Sequence, residues 1–411
     1  MNPVSRRGIR ILASLAVLAA TVAGGTSVAV GRTAHIGASA ASGCADPDNY
    51  PAQRDPSNPL DLPTPPGADP LTGANFFIAG PAHGAAASTI ASLIGIDPKS
   101  LPDSVSWAQF QQQHAAAIAA NPQAALLAKI ADEPEANRFS LYSEGGGPGA
   151  IYGQVHKIVC DNLAADPGTI PIFTTFFLYQ AGYCETKHEI LAHRGTFERQ
   201  IDEMARGIDR RPAVMLLELD AVGASMCMQQ NGALPYWEGD MSYEIDKLAA
   251  LPHTVIYMEA GYADGNSPRY TARVLNAVGI NKIRGFWTND THEDWTINEV
   301  HWGERVSQLT HGADFIVNTA TNGQGPLVPA HRVHDGNEVL CNAPDRGTGP
   351  LPQVNPGFAD VDAFLWTAPP GNSSGSCNGG PPSGTFWPAK AESMAALANA
   401  RLGPGFPSQP Y

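Results

Sequence analysis

Short apolar runs, rich in β-branched and aromatic residues, recur through the second half of the chain. They cover residues 170–178, 213–219, 254–258, 283–287, 315–318 and 363–366. Stretches with helical periodicity separate several of these runs, for example residues 189–206 and 240–251. Near-continuous apolar strands that alternate with helices are typical of a parallel sheet covered on both faces. The repeated units therefore predict an α/β fold with a barrel or near-barrel of parallel strands.

Polar residues follow most of these predicted strands directly. Glu218 and Asp220 lie at the end of the second run, Glu259 at the end of the third, and Asn289 and Asn322 after the fourth and fifth. Ligands of parallel α/β folds meet the protein at the carboxyl ends of the strands. We therefore expect these side chains to converge on one cleft.

The regions on either side of the predicted barrel differ in composition. Residues 42–75 are rich in Pro, Asp and Asn, which predicts an extended segment. Residues 85–127 are Ala-rich and periodic, and indicate two helices broken near Pro98 and Pro102. Residues 344–357 and 369–384 predict long C-terminal loops rich in Gly and Pro, which suit either a functional role or surface decoration. We assign residues 76–411 to a single domain.

The first 41 residues resemble a secretory signal and its cleavage zone. Arg6, Arg7 and Arg10 precede an apolar stretch, and small residues follow at 38–40. Ser5-Arg6-Arg7 is weakly similar to a twin-arginine signal. The alternative is an uncleaved anchor, although the stretch is shorter than the roughly 20 residues of a membrane span. We predict a secreted, extracellular protein.

Charge and cysteine content narrow the classes of partner. The formal net charge is −14 without a run of Lys or Arg, which argues against nucleic acid and membrane partners. Six cysteines without a Cys-x-x-Cys pair predict three disulfides in an exported chain. Of the 15 possible pairings, we favour neighbours: Cys184 with Cys227, Cys341 with Cys377, and Cys44 with Cys160. We expect no metal and no cofactor.

Exported acidic proteins with carboxylates at strand ends suit carbohydrate chemistry. Glycoside hydrolysis needs a carboxylic acid to protonate the leaving oxygen, and an inverting enzyme also needs a base to activate water. Trp287 and Trp366 stand at the ends of predicted strands and could stack on sugar faces. Core packing is the equally weighted alternative for both.

Seven motifs in order resemble family 6 of the glycoside hydrolases, which contains cellobiohydrolases and endoglucanases. They begin at Asp69, Leu217, Tyr257, Gly285, Phe315, Cys341 and Trp366. The second is Leu217-Glu218-Leu219-Asp220, similar to the family's Leu-Glu-Pro-Asp. The resemblance covers about residues 69–400. It implies a distorted parallel β/α barrel with the active site in a tunnel or groove, and metal-free cleavage of β-1,4-glucosidic bonds with inversion. It also implies disulfides at Cys184–Cys227 and Cys341–Cys377.

The chain departs from the family pattern at several positions that face substrate in the family. Tyr183 stands in place of an aspartate, Ala368 in place of a lysine, and Asn372 and Ser374 in place of acidic residues. His292 replaces an asparagine. These changes argue against ordinary cellulose specificity. The predicted substrate-binding residues are Tyr183, Trp287, Asn289, His292, Asn322, Trp366 and Asn372.

Three carboxylates are the predicted catalytic residues. The resemblance implies a general acid in a stretch like Gly-Asp-Arg-Pro, and a one-residue shift places Asp209 there. The alternative for Asp209 is a solvated helix end beside two arginines. Asp220 and Glu259 match family carboxylates at strand ends.

A further acidic cluster follows the Trp287 strand. It consists of Glu293, Asp294, Glu299 and Glu304. The cluster could supply a base. We favour a solvated helix face, with Glu299 and Glu304 pointing outward.

Three functions remain open on the sequence. The chain could be a hydrolase of a cellulose-like β-glucan, a hydrolase of a different glycan, or a non-catalytic carbohydrate-binding protein on the same scaffold. Each implies a polysaccharide or oligosaccharide partner, and we expect a monomer.

Overall fold

The computed structural model describes Leu60, Ser143 and residues 67–140, 147–178, 184–326 and 341–404. Within these ranges the chain alternates between helices and strands. The helices are α1 (Ala85–Leu93), α2 (Trp107–Ala120), α3 (Pro122–Ala131), α4 (Ala150–Ala165), α5 (Lys187–Ile208), α6 (Ala221–Asn231), α7 (Leu234–Leu248), α8 (Pro268–Val278), α9 (Thr296–Leu309) and α10 (Pro388–Ala396). The strands are β1 (Asn137–Ser140), β2 (Ile172–Phe176), β3 (Ala213–Leu217), β4 (Thr254–Glu259), β5 (Gly285–Thr288), β6 (Asp314–Asn318), β7 (Gln353–Val354) and β8 (Val361–Leu365).

The strands form one curled sheet in the order β1-β2-β3-β4-β5-β6-β8-β7. All neighbours are parallel except β7, which pairs antiparallel with β8. The two ends of the parallel series meet where Ala136 N donates to Trp366 O at 3.0 Å, beside a parallel bridge between Glu135 and Trp366. This seam makes the sheet a distorted barrel, which confirms the predicted fold class.

Burial on both faces explains why the strands are apolar runs without alternation. Every residue of β3 is buried. Val214 and Leu216 pack inside the barrel with Trp287, whereas Met215 and Leu217 pack outward in the cluster that the flanking helices share. The six predicted strands are therefore confirmed to within a few residues.

The N-terminal helices differ from the prediction. Residues 85–131 form three α-helices and not two, because Asn121 ends α2 and its side chain caps α3, with Pro122 at the first helical position. This layer packs with α10 around Trp107 and Trp366. Strands β1 and β7 were not predicted, since both are short and carry polar residues.

Two of the predicted disulfides are present. Cys184 pairs with Cys227 and Cys341 with Cys377, with Cα–Cα distances of 5.6 and 6.1 Å. Cys160 is also disulfide-bonded. Cys44 lies outside the described residues. No helix in the described ranges has the length and apolar character that crossing a bilayer demands.

Candidate active site

A cleft of about 1260 Å³ lies against the carboxyl ends of the strands. Its described lining includes four carboxyl groups and three cationic side chains. The carboxyl groups belong to Glu133, Glu135, Asp290 and Glu293. The cationic groups belong to Arg138, Arg346 and Lys390.

Asp220 lies at the end of β3 and begins α6. Its φ of 60° is left-handed, a conformation that aspartate adopts more readily than most side chains. Its Oδ1 accepts a hydrogen bond from Thr291 Oγ1 at 3.1 Å, and Leu219 and Thr291 line the cleft on either side. Burial raises the pKa of Asp220, against the Thr291 hydroxyl and the charges of His292 and Arg138. Asp220 is therefore a partly buried carboxyl with a raised pKa.

Asp290 stands beside Asp220 in the loop that follows β5. Its Oδ2 accepts the backbone N–H of Asp220 at 3.1 Å, and its Oδ1 lies 3.9 Å from Arg138 Nη2 without a hydrogen bond. Burial and the negative charge of Asp220 raise the pKa of Asp290 well above its ordinary value. The two aspartates titrate as a pair, since each charge opposes the other.

Glu293 belongs to the same loop and lies on the cleft wall. Its backbone is left-handed, with φ of 59°, and its side chain is mostly buried. Oε2 lies 3.6 Å from Arg346 Nη1 and accepts no hydrogen bond. Burial raises the pKa of Glu293 to about 7, although the charges of Arg346 and Lys390 oppose the rise.

Glu135 is the cleft carboxyl at the barrel seam. Its Oε1 is buried and has no hydrogen-bond partner. Burial alone raises the pKa of Glu135 to about 8. Glu135 is therefore neutral near pH 7.

Glu259 ends β4, where it clamps two backbone segments together. One of its oxygens accepts the N–H of Val222 at 2.9 Å, and the other accepts the N–H of Gly261. Its side chain is fully buried and does not line the cleft. The structure thus gives this predicted catalytic residue a positioning contact to the first turn of α6, next to Asp220.

Glu218 and Glu299 make similar contacts. Glu218 accepts the N–H groups of Phe177 and Leu178, and Glu299 accepts the N–H of Ala263 and the Thr288 hydroxyl. Both are fully buried. The prediction that Glu299 points outward is wrong, because α9 turns this position toward β5.

Asp209 does not reach the cleft. It follows the last residue of α5 and precedes β3, so it stands at the amino end of that strand. Asp220 follows the carboxyl end of the same strand, and five residues in a strand span about 16 Å. The structure therefore corrects the expectation that Asp209 is the general acid.

Both predicted sugar-stacking tryptophans lie in the core. Trp287 packs inside the barrel and donates its indole N–H to Leu217 O at 3.1 Å. Trp366 packs against the N-terminal helices and donates to Pro350 O at 3.3 Å. Both have no exposed surface, which corrects the expectation that they stack on sugars.

Of the polar residues predicted to bind substrate, some hold the barrel together and others line the cleft. Asn289 and Asn322 are buried and donate to the carbonyl of Asp294 at 3.1 and 2.9 Å, so they brace the strand ends. His292 is buried, stacked on Tyr262 and 2.7 Å from Asp264 Oδ1. Asn372 lines the cleft. Tyr183 lies outside the described residues.

Sequence reasoning missed the cationic side of the cleft. Arg138 arrives on the unpredicted strand β1, Arg346 on a loop between strands, and Lys390 on α10. Single basic residues far apart in sequence carry no pattern that would group them. The Gly-Pro-rich loops at 344–357 and 369–384 were a usable signal, since Arg346 and Asn372 belong to them.

One further cluster could suggest a metal site. His83, Asp103 and Asp161 come together in the part of the chain that the structure describes. Lys157 Nζ already lies 2.8 Å from Asp161 Oδ1 and 3.5 Å from Asp103 Oδ2. The ammonium group supplies the positive charge that the two carboxylates need.

Comparison with known proteins identifies the family. The model of glycosyl hydrolases family 6 matches residues 179–398. Endoglucanase 1 of Streptomyces sp. (strain KSM-9) is 30% identical over 301 residues, which cover 67% of this chain and 74% of that protein. The chain belongs to family 6 of the glycosyl hydrolases.

Other family 6 proteins show how far the likeness extends. Endoglucanase A of Cellulomonas fimi is 30% identical over 276 residues, and the match covers 67% of this chain but 56% of that protein. The chain thus spans little more than half of that relative. A structure of the endoglucanase Cel6 from Mycobacterium tuberculosis, in complex with methyl-cellobiosyl-4-deoxy-4-thio-β-D-cellobioside, matches with a TM-score of 0.63 at 25% identity. That match covers 80% of this chain and 99% of the other.

Proposed function

We propose that this family 6 chain is an exported glycoside hydrolase that cleaves a β-1,4-linked glucan with inversion, and that Asp220 is its general acid. The observation that carries the proposal is the position of Asp220. It follows a barrel strand in the Leu-Glu-Leu-Asp motif, it is partly buried, and it hydrogen-bonds Thr291 at the cleft.

A general acid must hold its proton until the leaving oxygen departs. Burial raises the pKa of Asp220 in that sense, and the adjacent Asp290 adds a second negative charge that disfavours ionisation of the pair. Thr291 fixes the direction of one carboxyl oxygen. Glu259 holds the start of α6 through the Val222 N–H, so the acid is positioned from both of its flanks.

The substrate class follows from relatives and from the cleft together. Several relatives are named endoglucanases, and a similar structure holds a cello-oligosaccharide analogue. Ala368 and Asn372 line the described cleft where the family pattern has a lysine and an acidic residue. A soluble or substituted β-glucan suits this lining better than crystalline cellulose. Disulfides at Cys184–Cys227 and Cys341–Cys377 suit an extracellular site of action.

The test is a reducing-sugar assay on carboxymethyl cellulose, mixed-linkage β-glucan and xyloglucan. We expect hydrolysis of at least one polymer, and α-configured new ends by proton NMR. Asp220→Asn should lower kcat/KM roughly 10²- to 10⁴-fold, since it removes the transferable proton. The same variant should retain activity on 2,4-dinitrophenyl β-cellotrioside, whose leaving group departs without protonation.

Two outcomes would contradict the proposal. Full activity of Asp220→Asn on the polymers would remove Asp220 from the mechanism. Binding of the polymers by the wild-type protein without hydrolysis would favour the carbohydrate-binding alternative.

A further inference from the structure

An inverting hydrolase needs a second group that takes a proton from water on the face opposite the acid. The loop after β8 supplies no such group among its described cleft residues, because Ala368, Asn372 and Ser374 do not ionise in the relevant range. Among the residues that the structure describes, the candidate bases therefore lie on other walls of the cleft. The described wall residues with carboxyl groups are Glu133, Glu135, Asp290 and Glu293.

Three of these four carboxyls are poorly suited to the role. Asp290 lies on the acid itself, since its Oδ2 accepts the Asp220 N–H, and it cannot also stand across the bond from that acid. Glu135 is held neutral by burial, and no cation acts on it. The charge of Asp132 and burial both favour the protonated form of Glu133.

Glu293 differs from them in its surroundings. Arg346 Nη1 lies 3.6 Å from its Oε2, and the ammonium group of Lys390 also acts on it. Both cations favour the ionised carboxylate, which is the form that accepts a proton. Glu293 lines the cleft and its side chain keeps 15% of its surface exposed, so the carboxylate can meet a water there.

We propose that Glu293 is the general base of this enzyme, an inference that rests on the proposed hydrolase function. In the step, the water oxygen forms a bond to the anomeric carbon while the glycosidic C–O bond breaks. The water proton passes to the Glu293 carboxylate, and the proton of Asp220 passes to the departing oxygen. Exchange with solvent then restores both carboxyl groups.

The loop between β5 and α9 thereby contains both the residues that contact the proposed acid and the proposed base. Thr291 and Asp290 contact the acid, and Glu293, two residues after Thr291, is the proposed base. Left-handed backbone at Asn289 and Glu293 lets this short loop change direction twice. Arg346 and Lys390 are positioning residues for the base, and Lys390 is itself fixed by Asn372 O at 2.8 Å and Asn342 Oδ1 at 3.2 Å.

The first test is Glu293→Gln, assayed on cello-oligosaccharides and on the polymer that the wild-type enzyme cleaves. We expect kcat to fall roughly 10²- to 10⁴-fold while oligosaccharide affinity by calorimetry changes little. In wild type, kcat/KM should fall at acidic pH as a group that titrates near pH 7 becomes protonated, and we call this fall the acid limb of the pH profile. The acid limb should be absent in Glu293→Gln. Added azide should restore turnover and yield an α-glycosyl azide, since azide needs no base.

The 2,4-dinitrophenyl substrate separates base from acid. Asp220→Asn retains activity on it, whereas Glu293→Gln should not, because water must still be activated. A Glu293→Gln enzyme with wild-type kcat, or one that azide does not rescue, overturns this inference and leaves the hydrolase proposal intact. An inactive wild-type enzyme overturns both.

A second pair of variants decides the matter if Glu293→Gln fails to fold. Lys390→Met removes a positive charge beside Glu293 and should move the acid limb upward by roughly half a pH unit or more. Lys390→Arg keeps the charge and should leave the limb in place. Lys129→Met, on α3 outside the cleft lining, is the control for loss of a lysine. An acid limb that stays in place in Lys390→Met overturns the assignment.

Discussion

Two sets of carboxyl groups lie near the carboxyl ends of the same strands, and they differ in how their oxygens are used. Glu218, Glu259 and Glu299 are fully buried, and each accepts backbone N–H groups of neighbouring segments. We call them the clamp carboxyls. Asp290 is also buried and Glu293 mostly so, but each has one oxygen to which no described residue donates a hydrogen bond.

Burial raises the pKa in both sets. It raises the pKa of Glu218 to about 7, and that of Glu293 to about 7 as well. The shift alone therefore does not distinguish a structural carboxyl from a chemical one. The hydrogen-bond partners of the carboxyl oxygens distinguish the two kinds of carboxyl. An oxygen that already accepts backbone N–H groups cannot also bind substrate or water.

The largest effect on folding stability should come from removing a clamp carboxyl. Glu218→Ala leaves the N–H groups of Phe177 and Leu178 buried without acceptors, which should cost roughly 3 kcal/mol of unfolding free energy or more. Urea denaturation followed by fluorescence measures it. Glu304→Ala, a partly exposed position on α9, is the control and should change stability by less than about 0.5 kcal/mol. An equal loss of unfolding free energy in the two variants would show that the Glu218 hydrogen bonds do not stabilise the fold.

The next effect should come from the pair at the acid. Asp290→Asn keeps an oxygen for the Asp220 N–H but removes the carboxyl whose ionisation the charge of Asp220 opposes. The basic limb of the kcat/KM profile should move to lower pH, because Asp220 then titrates without a second carboxyl beside it. Asp345→Asn, an exposed residue on the loop of Arg346, is the control. A basic limb unmoved by Asp290→Asn would mean that the two aspartates do not titrate together.

A smaller effect should appear in stability at the seam. Folded Glu135 keeps its proton up to about pH 8, whereas in the unfolded chain it releases the proton near its ordinary value of 4.5. The contribution of Glu135 to folding stability is therefore fully present below pH 4.5 and is lost as the pH rises toward 8. Glu135→Gln stays neutral throughout, so it should be more stable than the wild type at pH 8, and the two should differ much less at pH 5. Melting temperatures at the two pH values measure the difference, and a gain of equal size at both would contradict the assigned cause.

The smallest effect should come from Asp209→Asn. Asparagine tolerates the left-handed φ of 51° at this position, and the side chain lies at the far end of β3 from the cleft. We expect unchanged kcat/KM and a stability change below about 0.5 kcal/mol. A large loss of activity would restore Asp209 as the acid and contradict the placement of the site.

Much of the frame was predictable because β-strands buried on both faces leave an unmistakable apolar run. Residues 213–219 are an example, and the polar residues after each run located the cleft. The disulfides at Cys184–Cys227 and Cys341–Cys377 were also predicted, and both are confirmed. The break at Asn121 was missed, although Asn-Pro is a helix-start signal.

The site was predicted less well than the frame, for physical reasons. A motif-based shift of one residue made Asp209 the predicted general acid, but the sequence does not show that a whole strand separates Asp209 from the cleft. Trp287 and Trp366 stand at strand ends, yet the inward or outward direction of a side chain reverses with each residue. Glu135, Arg346 and Lys390 meet only because the fold brings distant segments together.

The seam between Ala136 and Trp366 also bears on the order in which the protein folds. These residues stand near the two ends of the barrel sequence, so closing the seam joins segments far apart along the chain, and contacts of that kind form late. Glu135 at this seam and Lys390 beyond it both line the cleft. A chain that lacks its last helix therefore has the strands of the barrel but an incomplete cleft lining.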